Sequence, residues 1–165
     1  MEFVLIRHSL TPGNLEKQYV GSTDQPLAPE GEALARERRE RMPEVDGIWV
    51  SPLKRCRQTA ELLFPGMEQR IVPDLQECDF GDYECKTWEE LKDEEIYRAW
   101  IGGDMTITFP HGESNGALHC PLPQWHPDRG PGGQGSGIGA SSHRGPRRYL
   151  AGGDGDLRPS GAQAL

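Results

Sequence analysis

The apolar run Phe3-Val4-Leu5-Ile6 stops at Arg7-His8, and this junction constrains the fold more than any other segment. An apolar run of this length, closed by the turn-forming stretch Thr11-Pro12-Gly13-Asn14, reads as a buried strand of a parallel sheet. Its carboxyl end then carries a guanidinium and an imidazole side by side. In open α/β sheets the ligand crevice lies at the carboxyl ends of the strands. A cation and an imidazole, followed by the small residues Thr11, Gly13 and Asn14, suit an anionic, oxygen-rich group.

The next hundred residues follow the same plan. Their pattern predicts strands over 2–7, 48–50 and 70–72, and helices over 29–42, 53–64 and 88–101. Pro29 opens the first helix. Ser51 and Pro52 supply an N-cap and a first-turn position for the second, which Pro65-Gly66 stops. Thr87 caps the third, with Glu89, Glu90 and Asp93 near its positive end. Strands alternating with helices make an α/β fold with parallel neighbours.

Composition divides the chain at residue 116. The 49 residues of 117–165 hold 11 Gly and 6 Pro, with no Val or Phe. Residues 1–116 carry a balance of −10 and the remainder +2, within a net charge of −8. So few apolar and β-branched residues cannot offset chain entropy by burial. Residues 117–165 are therefore expected to be disordered or poorly packed, with nothing like a buried strand. The abrupt change fits an out-of-frame translation starting near Gly116 or Ala117. The acidic balance gives no footing for nucleic acid. No apolar run approaches the roughly 18 residues of a membrane span. Cys56, Cys78, Cys85 and Cys120 lack C-x-x-C spacing, which points to free thiols in a reducing cytoplasm.

Three further segments extend the Arg7-His8 pattern. They are Tyr19-Val20-Gly21-Ser22-Thr23-Asp24-Gln25-Pro26-Leu27, Ser51-Pro52-Leu53-Lys54-Arg55-Cys56-Arg57-Gln58-Thr59-Ala60, and Leu75-Gln76-Glu77-Cys78-Asp79-Phe80-Gly81. With Trp88 to Trp100 and Pro110-His111-Gly112-Glu113-Ser114-Asn115, their order resembles the histidine phosphatase superfamily, also called phosphoglycerate mutase-like. Within it the chain is most similar to the broad-specificity and α-ribazole-type phosphatase branch. The resemblance covers residues 1–116. It implies a three-layer α/β/α sheet whose C-terminal part is missing or scrambled here.

The resemblance also implies roles. His8 is the nucleophile that becomes phosphohistidine, flanked by Arg7 and Arg55, whose planar guanidinium groups suit phosphate oxygens. Glu77 is the general acid for the leaving oxygen. Thr11, Asn14 and the Val20-Gly21 backbone line the phosphate pocket, while Glu113 and Ser114 lie in a loop that contacts substrate. The family's second histidine motif has no clear counterpart; His143, in Ser-Ser-His-Arg-Gly, stands at about the right distance. Ser9 and Cys85 replace the glycines usual in the family. The substrate is a small phosphorylated metabolite, and no cofactor or metal is called for, since no H-x-x-x-H spacing occurs. Hydrolysis, phosphoglycerate-type mutase chemistry, a catalytically dead phosphate-binding module and a truncated inactive product stay open as readings, as does the oligomeric state.

Overall fold

The computed structural model describes residues 2–104, 106–114 and 148–152. Four strands form one parallel sheet in the order β1-β4-β2-β3: β1 (Glu2–Leu5), β2 (Gly47–Val50), β3 (Gln69–Ile71) and β4 (Arg148–Gly152). Five helices accompany it: α1 (Pro12–Leu15), α2 (Pro29–Arg38), α3 (Lys54–Leu63), α4 (Trp88–Leu91) and α5 (Glu95–Ile101).

Two departures from the sequence expectation concern the sheet. The C-terminal stretch does supply a strand. β4 lies between β1 and β2, pairing Leu5 with Ala151 on one side and Ile48 with Leu150 on the other. A parallel ladder is made by backbone N–H and C=O groups, so a sequence poor in β-formers can still complete it. The other expectations for 117–165 fall mostly on residues outside those described. The second departure is burial. Every residue of β2 is buried, whereas Leu5 of β1 is 49% exposed.

Helix boundaries differ for electrostatic and capping reasons. The stretch 88–101 is two helices, not one. Thr87 and Glu90 close a capping box on α4, with Glu90 accepting from the Thr87 amide at 2.8 Å. Asp93, Glu94 and Glu95 then crowd negative charge where the negative end of α4 would continue. That charge suits the positive start of a new helix, α5. α1, a single turn after Thr11, was not anticipated. α3 begins at Lys54, with Leu53 rather than Ser51 at its N-cap position. Its cap comes from far away, since Asp24 Oδ1 accepts the Lys54 amide at 2.6 Å.

The described residues hold two apolar cores. Ile48, Val50, Leu53 and Cys56 join β2 to α3, with Val4, Ile6, Ala60 and Phe64 packed against them. Cys78, Phe80, Tyr83, Leu91, Tyr97 and Phe109 form the second, largely aromatic. Tyr19, Phe80, Trp100 and Phe109 meet there mostly edge to face, at centroid distances of 5.2–6.4 Å. The loop 21–25 makes polar contacts with both bodies, to α3 on one side and to the 78–85 segment on the other.

Candidate active site

Arg7 and His8 follow directly on the end of β1. Arg7 is exposed and makes no hydrogen bond or ion pair among the described residues. His8 Nδ1 lies 2.5 Å from the Ser9 carbonyl oxygen. A carbonyl only accepts, so Nδ1 carries a hydrogen, and in the neutral ring the lone pair is then on Nε2. The next residue is held on two sides. The Ser9 amide donates to Thr59 Oγ1 at 3.0 Å, and the Ser9 hydroxyl donates to the Gly31 carbonyl at 2.7 Å. The Ser9 hydroxyl thus fastens the histidine loop to α2.

Thr59 completes a link to the second arginine. Its hydroxyl donates to the Arg55 carbonyl at 2.7 Å, one turn earlier in α3. Arg55 is fully buried. Its Nη2 donates to the Gly21 carbonyl at 2.7 Å and its Nη1 to the Thr23 carbonyl at 2.9 Å. A charged guanidinium is tolerated in the interior only when its donors are met, and these carbonyls meet two of the five.

Thr11 and Asn14 stand on the same loop but play different parts. Thr11 is fully buried, and its hydroxyl donates to Asn14 Oδ1 at 3.0 Å, as does its amide. Its polar atoms are therefore spent in the capping box of α1 rather than offered to a ligand. The box also fixes the Asn14 carboxamide, turning its oxygen inward and leaving its NH2 as a donor without a partner among the described residues. Gln25 ties α1 to the 21–25 loop by accepting from the Gly13 amide at 2.9 Å. Val20 packs against α1: a Cβ on Gly13 would come within 2.5 Å of its methyl group.

Gly21 sits at the crossing of these connections. Its carbonyl faces Arg55, and its amide faces the carboxylate of Glu84 at 3.1 Å. A Cβ there would stand 2.0 Å from the Cys78 carbonyl oxygen. Glu77 is next in sequence to Cys78, and its carboxylate accepts the Cys78 amide at 3.2 Å. Burial, then the carboxylates of Glu113 and Glu77, push the Cys78 thiol up to about 12. Glu113 joins the same segment: its Oε2 accepts the Asp79 amide at 3.1 Å and its own amide donates to the Asp79 carbonyl at 2.8 Å. Ser114 is turned into a short bridge with Thr108 and donates to the Ile107 carbonyl. His111 is exposed and pairs with Asp82 at 3.0 Å. His143 lies outside the described residues.

Thr59, Gln25 and Glu84 matter to this geometry although sequence reasoning gave them no role. Thr59 had a usable signal, standing one turn after Arg55. Glu84 had none, because three of its four amide partners are about sixty residues away and it is one acid among 26. An apolar cavity lined by Ile6, Val50, Ala60 and Leu63 also touches His8 and Thr59. Among the described residues no three His, Cys, Asp or Glu side chains are grouped to hold a metal ion, and no helix is long and apolar enough to cross a membrane.

A sequence model of the histidine phosphatase superfamily (branch 1) matches residues 3–151, a span that takes in β4 up to Ala151. The adenosylcobalamin/alpha-ribazole phosphatase of Salmonella typhimurium is 35% identical over 119 residues, 68% of this chain and 59% of that protein. The uncharacterized phosphatase PhoE of Bacillus subtilis is 41% identical over 90 residues, 52% of this chain and 47% of that protein. The chain therefore spans only 47–59% of the length of these two relatives. A solved phosphoglycerate mutase from Thermus thermophilus shares the fold. It is 31% identical, with a TM-score of 0.67 over 92% of this chain and 76% of that one.

Proposed function

This chain belongs to the histidine phosphatase superfamily (branch 1), and from that premise we propose that it hydrolyses small phosphomonoesters through a phosphohistidine on His8. The observation that supports the reading is the Nδ1–Ser9 hydrogen bond, which in the neutral ring puts the lone pair on Nε2, beside the exposed Arg7 in sequence. Nucleophilic histidine needs one neutral nitrogen aimed at phosphorus.

Nε2 attacks phosphorus and the ester P–O bond breaks. Glu77 gives its proton to the leaving oxygen. Water then attacks the phosphohistidine, the P–N bond breaks, and Glu77 takes back a proton. Arg7, Arg55 and the Asn14 amide hold the phosphoryl oxygens, whose charge of ~1.5 to 2 at neutral pH calls for such donors. Thr11 acts by orienting Asn14. His143 is the candidate second histidine, Glu113 and Ser114 belong to the substrate-facing loop, and the setting is cytoplasmic. The reaction needs no metal.

The test is aryl phosphate hydrolysis by the whole chain in chelator, beside His8→Ala, with acid-labile phosphate measured on the protein. Activity and label should both appear and both fall by at least ~10³-fold in the variant. Label passed to a phosphoglycerate acceptor in place of water would establish the mutase reading. Phosphate binding with neither label nor turnover would establish a binding module.

A further inference from the structure

Glu84 gathers an unusual set of donors. Its Oε1 accepts from the amides of Ser22 at 2.9 Å and Phe80 at 3.1 Å. Its Oε2 accepts from Gly21 at 3.1 Å and Thr23 at 3.4 Å. Three successive amides, 21 to 23, thus converge on one carboxylate, the concave arrangement that elsewhere holds an anion. The carbonyls of Gly21 and Thr23, in the same short loop, both accept from the Arg55 guanidinium. The loop has its amides toward the anion and two of its carbonyls toward the cation.

We propose that Glu84 is a positioning residue for Arg55: by fixing the 21–23 peptides it aims two carbonyls that help set where the guanidinium stands. The inference rests on the phosphatase reading for its kinetic consequence. Arg55 is too deeply buried to be steered by solvent, so its placement depends on protein groups, and the loop that supplies two of them is anchored by Glu84. The carboxylate and the guanidinium polarise the peptides between them from opposite sides, without pairing directly with each other. A shift of about 1 Å in a phosphate-holding group can cost ~10²-fold in rate.

The experiment compares the full wild-type chain with Glu84→Gln, Arg55→Ala and the double variant. The readouts are kcat/KM on an aryl phosphate and the Arg55 Nη–H resonances in 15N spectra. A glutamine keeps the size but turns an NH2 toward amide donors. The expected result is a folded Glu84→Gln chain with kcat/KM lower by ~10²-fold, Arg55 resonances shifted or broadened, and no further loss when Glu84→Gln is added to Arg55→Ala. Additive losses, or unchanged Arg55 resonances, overturn the proposal. Should Glu84→Gln not fold, Glu84→Asp is read in the same way. If neither folds, Glu84 holds the fold rather than the aim of Arg55, and the proposal is overturned. An inactive wild type would instead refute the phosphatase reading, and the resonance comparison would still decide the role of Glu84.

Discussion

The hydroxyl of Thr59 accepts the Ser9 amide hydrogen at 3.0 Å while donating its own to the helix carbonyl of Arg55 at 2.7 Å. One side chain so joins the loop that carries His8 to the turn that carries Arg55. The hydroxyl can do both because it has one hydrogen and two lone pairs.

Thr59→Val should break that joint. Valine matches the shape but leaves the Ser9 amide unpaired in a half-buried setting, at a cost of ~1–3 kcal/mol. Urea unfolding should report that loss, and kcat/KM should fall with it. Thr59→Ser keeps the hydroxyl and should keep most of the activity. Equal behaviour of the two variants would mean that the hydrogen bond contributes nothing.

Gly21 is fixed by space. An added Cβ would meet the Cys78 carbonyl oxygen at 2.0 Å and Glu84 Oε1 at 2.6 Å. A backbone carbonyl cannot swing aside as a side-chain end can. Gly21→Ala should therefore destabilise by ~3 kcal/mol or more. Gly66 offers the contrast. Its φ is +76° with nothing within 4 Å of a built Cβ, so alanine there meets only backbone strain, about 1–2 kcal/mol. Thermal melts of the two variants should rank in that order.

Much of this fold could be read in the chain because its signals are local. Pro29 opens α2, the apolar Ile48-Trp49-Val50 makes β2, and Pro65-Gly66 ends α3. The residues proposed for phosphate were legible by their motif order. What stayed hidden depends on partners remote in sequence. Asp24 caps α3 across 30 residues, and Glu84 reaches 61–63 residues back to the 21–23 amides. β4 stayed hidden because its apolar run, Tyr149-Leu150-Ala151, is only three residues long and stands inside a Gly- and Pro-rich stretch.

The second core should make the protein sensitive to alkali. Burial, reinforced by Glu113 and Glu77, pushes the Cys78 thiol from an ordinary 9.0 up to about 12. Burial, then the hydrogen bond with Tyr97, pushes the Tyr19 phenol upward too, and burial does the same to Tyr83. Each group loses its proton more readily in the unfolded chain. As the pH rises from about 9 toward about 12, unfolding becomes coupled to proton release at Cys78, so stability falls across that window. Urea midpoints measured from pH 7 to 11 should decline above pH 9, and less steeply in Cys78→Ala. A flat or rising curve would contradict the burial argument. The tyrosines add to the decline at the upper end.

The position of β4 makes the C-terminal stretch indispensable. β1 pairs with β4 over Glu2↔Arg148 to Leu5↔Ala151, and β2 pairs with β4 over Gly47↔Tyr149 to Val50↔Gly152. β1 and β2 do not pair with each other. A chain ending at residue 116 would lose the strand between them and leave both ladders open, with β2 facing that gap from the middle of the core. The His8 loop hangs from the end of β1, so the site would go with the sheet. Residues 1–116 alone should therefore unfold without a cooperative transition and bind hydrophobic dye, whereas residues 1–152 should melt cooperatively. A cooperative melt of 1–116 at the full-length midpoint would show that β4 adds nothing to the sheet and that the N-terminal part closes by itself.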